Sequence, residues 1–293
     1  MDLTTAVRLS CLLEASARKA GNVHPEAHFE HLTYNDFVRS GQVVAPILSQ
    51  AAVRGVGPTI LDAVHATRSV CEHNTNLGIV LLLAPLAAVP VNCLTTDGIA
   101  NVLNNLTRAD SDAVYEAICV AAPRGLGDAE AEDVSASPTG NLVEVMTLAA
   151  DRDLIAAQYA TGFSLVIESA SRLQALNLFP DRWESAILQL QLEVMSRHPD
   201  TDIGRKCGLA EAVESAARAG EVLDAGFPAN TNGQQRFTAF DAWLREHGSL
   251  RNPGTTADLI TASLFVAIRE QLIIPPTEHA VRQHVRDCQI PSQ

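Results

Sequence analysis

Lysine is scarce in this chain. Of 21 Lys+Arg in 293 residues only two are lysines, Lys19 and Lys206, and 34 Asp+Glu leave a formal net charge of −13. A surface that neutralises phosphates needs a positive face, so this balance argues against nucleic acid or an anionic membrane as partner. A small anion held in a local basic pocket is still compatible with it. Aromatic residues are also scarce, at 4%, and alternating Val/Ile/Thr segments are few, which removes the usual material of β-sheets.

The six cysteines, Cys11, Cys71, Cys93, Cys119, Cys207 and Cys288, are scattered and form no CxxC pair. That excludes a zinc ribbon or a dithiol redox motif and fits a reducing cytoplasm. The longest apolar run, 79–91, contains Pro85 and Pro90 and falls well short of the ~20 residues of a membrane span. The opening residues show neither a basic n-region nor a cleavage signal, so a cytoplasmic protein is expected.

What the chain does have is Ala, Leu, Glu and Arg, the strongest helix formers. The expected fold is all-α, a single large many-helix bundle over residues 1–293, without internal repeats or a linker. Helices are predicted over 3–19, 34–50, 58–71, 75–88, 96–106, 110–121, 141–149, 152–177, 182–197, 205–224, 234–247, 256–271 and 277–287. Segments 75–88 and 256–271 are apolar nearly all round, as central buried helices are.

Five polar segments stand at the ends of these helices. In the first, Glu14 falls in the apolar stripe of helix 3–19, where a carboxylate needs either a structural ion pair or a function. Lys19-Ala20-Gly21 follows it, a turn able to offer an ammonium and free N–H groups to a phosphate, or simply to end a helix. Next, His24, His28 and His31 invite a metal reading, but Pro25 favours a loop, in which their spacing has no geometric meaning. Thr33 with Asp36 reads as a capping box.

The third segment, Asn74-Thr75-Asn76-Leu77-Gly78, enters the apolar helix. Asn74 or Thr75 suffices as its cap, whereas Gly78 suits the close approach of a ligand or a backbone. In the fourth, Asp200 and Asp202 offer oxygen ligands for Mg²⁺, and Arg205 and Lys206 offer cations for phosphates, with helix capping as the structural alternative. The fifth runs from Asn252 through Gly254 and Thr255 to Asp258, where Thr255 and Asp258 form a possible capping box although Asp258 lies on a buried face. One design repeated five times points to a single polar pocket built from helix termini.

Taken together and in order, these segments resemble the triphosphoribosyl-dephospho-CoA synthase family. Its Glu-containing helix and Lys-Pro-Gly turn match Glu14 and Lys19-Ala20-Gly21, and its Asn-Thr-His-Lys-Gly matches Asn74–Gly78. Its Asp-Thr-Asn with a following Arg matches Asp200-Thr201-Asp202 with Arg205. Its closing Ser-Pro-Gly-Gly-Ser-Ala-Asp-Leu is similar to Asn252-Pro-Gly-Thr-Thr-Ala-Asp258-Leu259. The resemblance implies an all-helical pentosyltransferase that moves a triphosphoribosyl group from ATP to the 2′-hydroxyl of 3′-dephospho-CoA and releases adenine, with ATP as substrate and Mg²⁺ as cofactor.

On that basis Asp200, Asp202, Asp258 and Glu14 are the expected catalytic carboxylates, the first two at the metal. Lys19, Gly21, Asn74, Thr75, Gly78, Arg205, Lys206 and Gly254 are expected at nucleotide and phosphates. The chain departs from the pattern at Asn76-Leu77, where the family has His-Lys. Arg124-Gly-Leu-Gly127 and the segment from Arg152 to Tyr159 look closer to an archaeal, tetrahydromethanopterin-associated branch. A phosphoribosyl-type transfer in that C1 cofactor's biosynthesis, and a non-catalytic nucleotide-binding protein, are therefore the alternatives.

Overall fold

The computed structural model describes residues 1–90, 96–123 and 136–289. Cys93 and Arg124–Gly127 lie outside them. Sixteen helices are found among the described residues: α1 (Leu3–Ser16), α2 (Tyr34–Leu48), α3 (Ala51–Arg54), α4 (Val56–Val70), α5 (Leu77–Ala88), α6 (Thr96–Asn104), α7 (Arg108–Ala121), α8 (Leu142–Ala149), α9 (Leu154–Ala160), α10 (Ser164–Leu176), α11 (Trp183–Arg197), α12 (Thr201–Cys207), α13 (Leu209–Asp224), α14 (Thr231–Arg245), α15 (Gly254–Arg269) and α16 (Glu278–Gln289). These residues hold no strand, only isolated bridges in the 24–32 loop, so the all-α expectation holds. None of these helices is long and apolar enough to cross a membrane.

Two predicted helices are broken. Segment 152–177 divides into α9 and α10 where Gly162 and Phe163 both take positive φ, a turn that buries the Phe163 ring beside Tyr159. Segment 205–224 starts earlier, at Thr201, and divides at Gly208, which links α12 to α13. Periodicity ran on across both breaks because the flanking helices bury neighbouring faces. The helix expected from 75 starts at Leu77, with Asn76 as its N-cap.

The fold is organised by α5 and α15, buried along most of their length. Helix α15 packs against α1, α5, α9, α10, α11 and α12. Its direction relative to α5 is fixed at both ends. Asp258, near the start of α15, lies against Gly78 in the first turn of α5, and Arg269, the last residue of α15, donates to the carbonyls of Leu86 and Val89 at the end of α5. The two central helices therefore run parallel and both N-termini face the same end of the bundle. A guanidinium on the final carbonyls satisfies acceptors that the helix itself leaves open and suits its negative end.

A second, smaller core forms where α11 meets α12, α13 and α14, through Leu192, Met195, Ile203, Ala219, Phe240 and Leu244. Its contact with the main core brings α12 to the N-terminal end of α15. Arg269→Leu should cost roughly 2–4 kcal/mol, because two charge-assisted bonds go and buried carbonyls lose their donors. Urea denaturation measures this, and an unchanged midpoint would contradict the parallel clamp.

Candidate active site

One cavity of about 1110 Å³ lies at that end of the bundle. The starts of α5, α9, α12 and α15 all line it, through Asn74–Ile79, Arg152–Asp153, Pro199–Asp202, and Asn252, Gly254 and Thr255. Glu14, from the last turn of α1, completes the floor. Four helix N-termini thus turn the positive ends of their dipoles toward one space, with first-turn N–H groups taken by Asn74, Asp153 and Asp200.

Carboxylates sit against glycines at the base of this space. A Cβ on Gly78 would stand 2.0 Å from Asp258 Oδ2, and one on Gly254 would stand 2.6 Å from Asp202 Oδ2. No side chain fits at either position without displacing the acid. The close approach expected at Gly78 is therefore real, and the group that makes it is a protein carboxylate.

Asp200 plays another part than expected. It is fully buried, and four donors meet its carboxylate: the N–H groups of Asp202 and Ile203 on Oδ1 at 2.9 and 3.0 Å, and the N–H and hydroxyl of Thr256 on Oδ2 at 2.7 and 2.8 Å. It caps α12 and pins that cap to the first turn of α15. Burial and neighbouring Asp202 push its carboxyl up to about 6, against the pull of the bonds from Ile203 and Thr256. With its lone pairs taken, Asp200 has none left for a metal.

Asp202 holds the two cations of its own helix. Its Oδ1 accepts from Arg205 Nη2 at 2.9 Å and its Oδ2 from Lys206 Nζ. Arg205 also donates to Asp153 Oδ2 at 3.0 Å, which makes Asp153, the N-cap of α9, a site residue that motif reading overlooked. Asp258 differs from all of these. It is half-buried in the cavity wall, and no hydrogen-bond donor among the described residues reaches it. Burial, followed by the charges of Glu14, Asp202 and Asp200, raises its carboxyl well above the usual range.

Lys19 and Gly21 fall outside the cavity lining. Lys19 is completely buried, and its ammonium donates to Glu14 Oε1 at 2.8 Å and to the Glu14 carbonyl at 2.6 Å. Its position is that of a brace for Glu14, away from any phosphate. Gly21, at φ +72°, gives its N–H to Asp241 Oδ1 at 2.8 Å and packs on Leu244. The turn around it is held by Gln191, which exchanges hydrogen bonds with Ala20 and donates to Asn22 Oδ1. Asn22 in turn donates to Asn252 Oδ1 and the Pro253 carbonyl. The first motif therefore positions the start of α15 from behind.

Asn74 Oδ1 accepts from the Leu77 N–H at 3.0 Å, and Thr75 is buried in the lining. Thr255 and Asp258 form no capping box, because α15 begins one residue before Thr255 with Pro253 as N-cap. Thr33 and Asp36 do form one. The 24–32 segment is a loop, and no group of three metal-ligating side chains occurs among the described residues.

With this geometry in view, the comparisons decide the family. The family model for ATP:dephospho-CoA triphosphoribosyl transferase matches residues 1–275. The chain belongs to that family. Its members are pentosyltransferases. A crystal structure described under the name triphosphoribosyl-dephospho-CoA synthase, from Archaeoglobus fulgidus, is similar at a TM-score of 0.60 and 24% identity, over 79% of this chain and 97% of that one. At that identity the likeness speaks for the fold. No curated protein matches the chain in sequence.

Two variants separate the cap from the site within this triphosphoribosyl transferase. Asp200→Asn faces amide hydrogens toward donors and should destabilise the protein by about 1–3 kcal/mol in urea. Gly78→Ala should leave the fold standing but displace Asp258, so turnover should fall much further than the midpoint. Equal loss of both in Gly78→Ala would contradict the close packing of Asp258.

Proposed function

We infer that this cavity transfers the triphosphoribosyl group of ATP to the 2′-hydroxyl of 3′-dephospho-CoA, with Asp258 as the base. The observation that carries the reading is the unpartnered carboxylate of Asp258, facing a cavity whose α12 side presents Arg205 and Lys206. Both cations are tied to carboxylates of the protein. A triphosphate takes the place of Asp202 on them, exchanging one set of charge-assisted bonds for another.

The reaction forms a bond from the acceptor oxygen to C1′ and breaks the bond from C1′ to N9, whose electron pair leaves with adenine. Positive charge develops at C1′, and the surrounding carboxylates, Asp258 and Glu14, stabilise it. Asp258 accepts the hydroxyl proton, which balances the proton the departing purine anion takes up to become adenine, while Lys19 fixes Glu14 from behind. Leu77 supplies no cation where the family pattern has lysine, so phosphate binding draws on Arg205 and Lys206, with Arg152 also in the lining. The apolar side of the cavity, with Ile118, Val145 and Met146, suits the uncharged arm of the acceptor. The volume exceeds that of a usual single-ligand pocket, as two substrates require.

The residues fit Mg²⁺ in its common mode, one or two carboxylates completed by substrate phosphates. Asp202, once Arg205 and Lys206 turn to the triphosphate, is the carboxylate for it, in place of the Asp200 and Asp202 pair. When bound, the ion offsets triphosphate charge. The five described cysteines carry no disulfide, in keeping with a cytoplasmic enzyme, and we read the chain as one helical domain.

Asp258→Asn should lower kcat by about 10²–10⁴-fold with ATP binding kept. In the parent, kcat/KM should fall as pH drops, along a limb above the pKa of ~3.9 of an ordinary aspartate. The same carboxyl holds its proton more readily folded than unfolded, so its ionisation costs stability as pH rises above the unfolded value. Asp258→Asn should therefore melt higher than the parent at neutral pH, with the gain vanishing near pH ~4. Unchanged turnover together with an unchanged melting temperature would remove Asp258 from the reaction.

A further inference from the structure

Asn76 stands where the family pattern has histidine, and its surroundings give the amide a definite orientation. The residue is 4% exposed and lines the cavity. Thr67, buried on α4 and outside the lining, donates its hydroxyl to Asn76 Oδ1 at 3.0 Å. The oxygen is thus held on the side away from the cavity. The amide nitrogen, Nδ2, is itself buried and has no hydrogen-bond partner among the described residues. A buried donor without an acceptor loses its hydration with nothing in return and calls for a partner supplied by something else.

The position of Asn76 identifies that partner. Helix α15 packs on both α12 and α5. Crossing it from α12, the cavity presents Arg205 and Lys206, then Asp202 over Gly254, then Asp258 over Gly78, and then Asn76 two residues before Gly78. In ATP the order is triphosphate, ribose, base. With phosphates on the cations and C1′ at Asp258, the base reaches Asn76. The amide is neutral and is flanked by Leu77 and Ile79, so it suits an uncharged acceptor rather than a phosphate.

We propose that Asn76 Nδ2 donates to a ring nitrogen of the departing purine, and that Thr67 is the positioning residue that turns the amide toward it. The proposal rests on ATP being the donor. A donor on the purine also favours departure, because the electron pair from the broken C1′–N9 bond enters that ring.

The test is a binding cycle by calorimetry, with no acceptor present, using ATP and its 1-deaza, 3-deaza and 7-deaza analogues. Each analogue replaces one ring nitrogen by CH. One of them should bind the parent protein about 5–10-fold more weakly than ATP, the loss of one hydrogen bond. Asn76→Ala should bind ATP and that analogue equally. Thr67→Val, close in shape, should blunt the discrimination, and Asn76→Asp, which keeps the shape and removes the donor, should abolish it. Melting temperatures identify any variant that fails to fold, and Thr67→Val then carries the comparison. Equal binding of all four nucleotides by the parent, or discrimination that survives in Asn76→Asp, would overturn the proposal. Adenine release by the parent with dephospho-CoA is scored separately, so failure of the transfer reaction is distinct from failure of this contact.

Discussion

The parallel packing of α5 on α15 is the constraint from which the site follows. Antiparallel neighbours would put one N-terminus at each end of the bundle. Here both face the same way, clamped by Asp258 at one end and Arg269 at the other. Asp200 brings a third N-terminus to the same place by capping α12 and accepting from Thr256 at once. The contact of Arg205 with Asp153 brings the fourth. Glycines at positions 78 and 254 let the carboxylates sit directly on the helix starts, where oriented N–H dipoles soften the cost of gathering acids in one buried place.

The resulting electrostatics explain an acidic enzyme for an anionic substrate. Overall charge repels polyanions at long range, and the cavity holds more carboxylates than cations. The cations beside Asp202 and Glu14 are paired: Lys206 with Asp202, Arg205 with Asp202 and Asp153, Lys19 with Glu14. These are ion pairs that a triphosphate can enter by exchange. Asp258 alone among these acids stands clear of a donor, which fits a group that has to take up a proton during turnover.

Much of this was legible in the sequence. The helical class followed from composition, the buried character of α5 and α15 from their unbroken apolar faces, and the convergence of the Asn74–Gly78, Asp200–Lys206 and Asn252–Asp258 segments on one cavity from their shared form. What stayed hidden depended on contacts between residues far apart in the chain. Asp200 reads equally as metal ligand or cap until Thr256 is seen on its second oxygen. Lys19 reads as a phosphate ligand until Glu14 is found on its ammonium. Asp153 and Gln191 sit in ordinary helical sequence and gain their roles only from Arg205 and from the turn at Ala20. The breaks at Gly162 and Gly208 were masked by apolar periodicity that continues across them.

The account stands on transfer from C1′ of ATP in this cavity. The most direct measurement is the release of free adenine from ATP by the purified protein with Mg²⁺, in the presence and absence of 3′-dephospho-CoA. Acceptor-dependent adenine, formed one for one with the triphosphoribosylated product, is the predicted result. ATP that binds yet yields no adenine with this acceptor would contradict it.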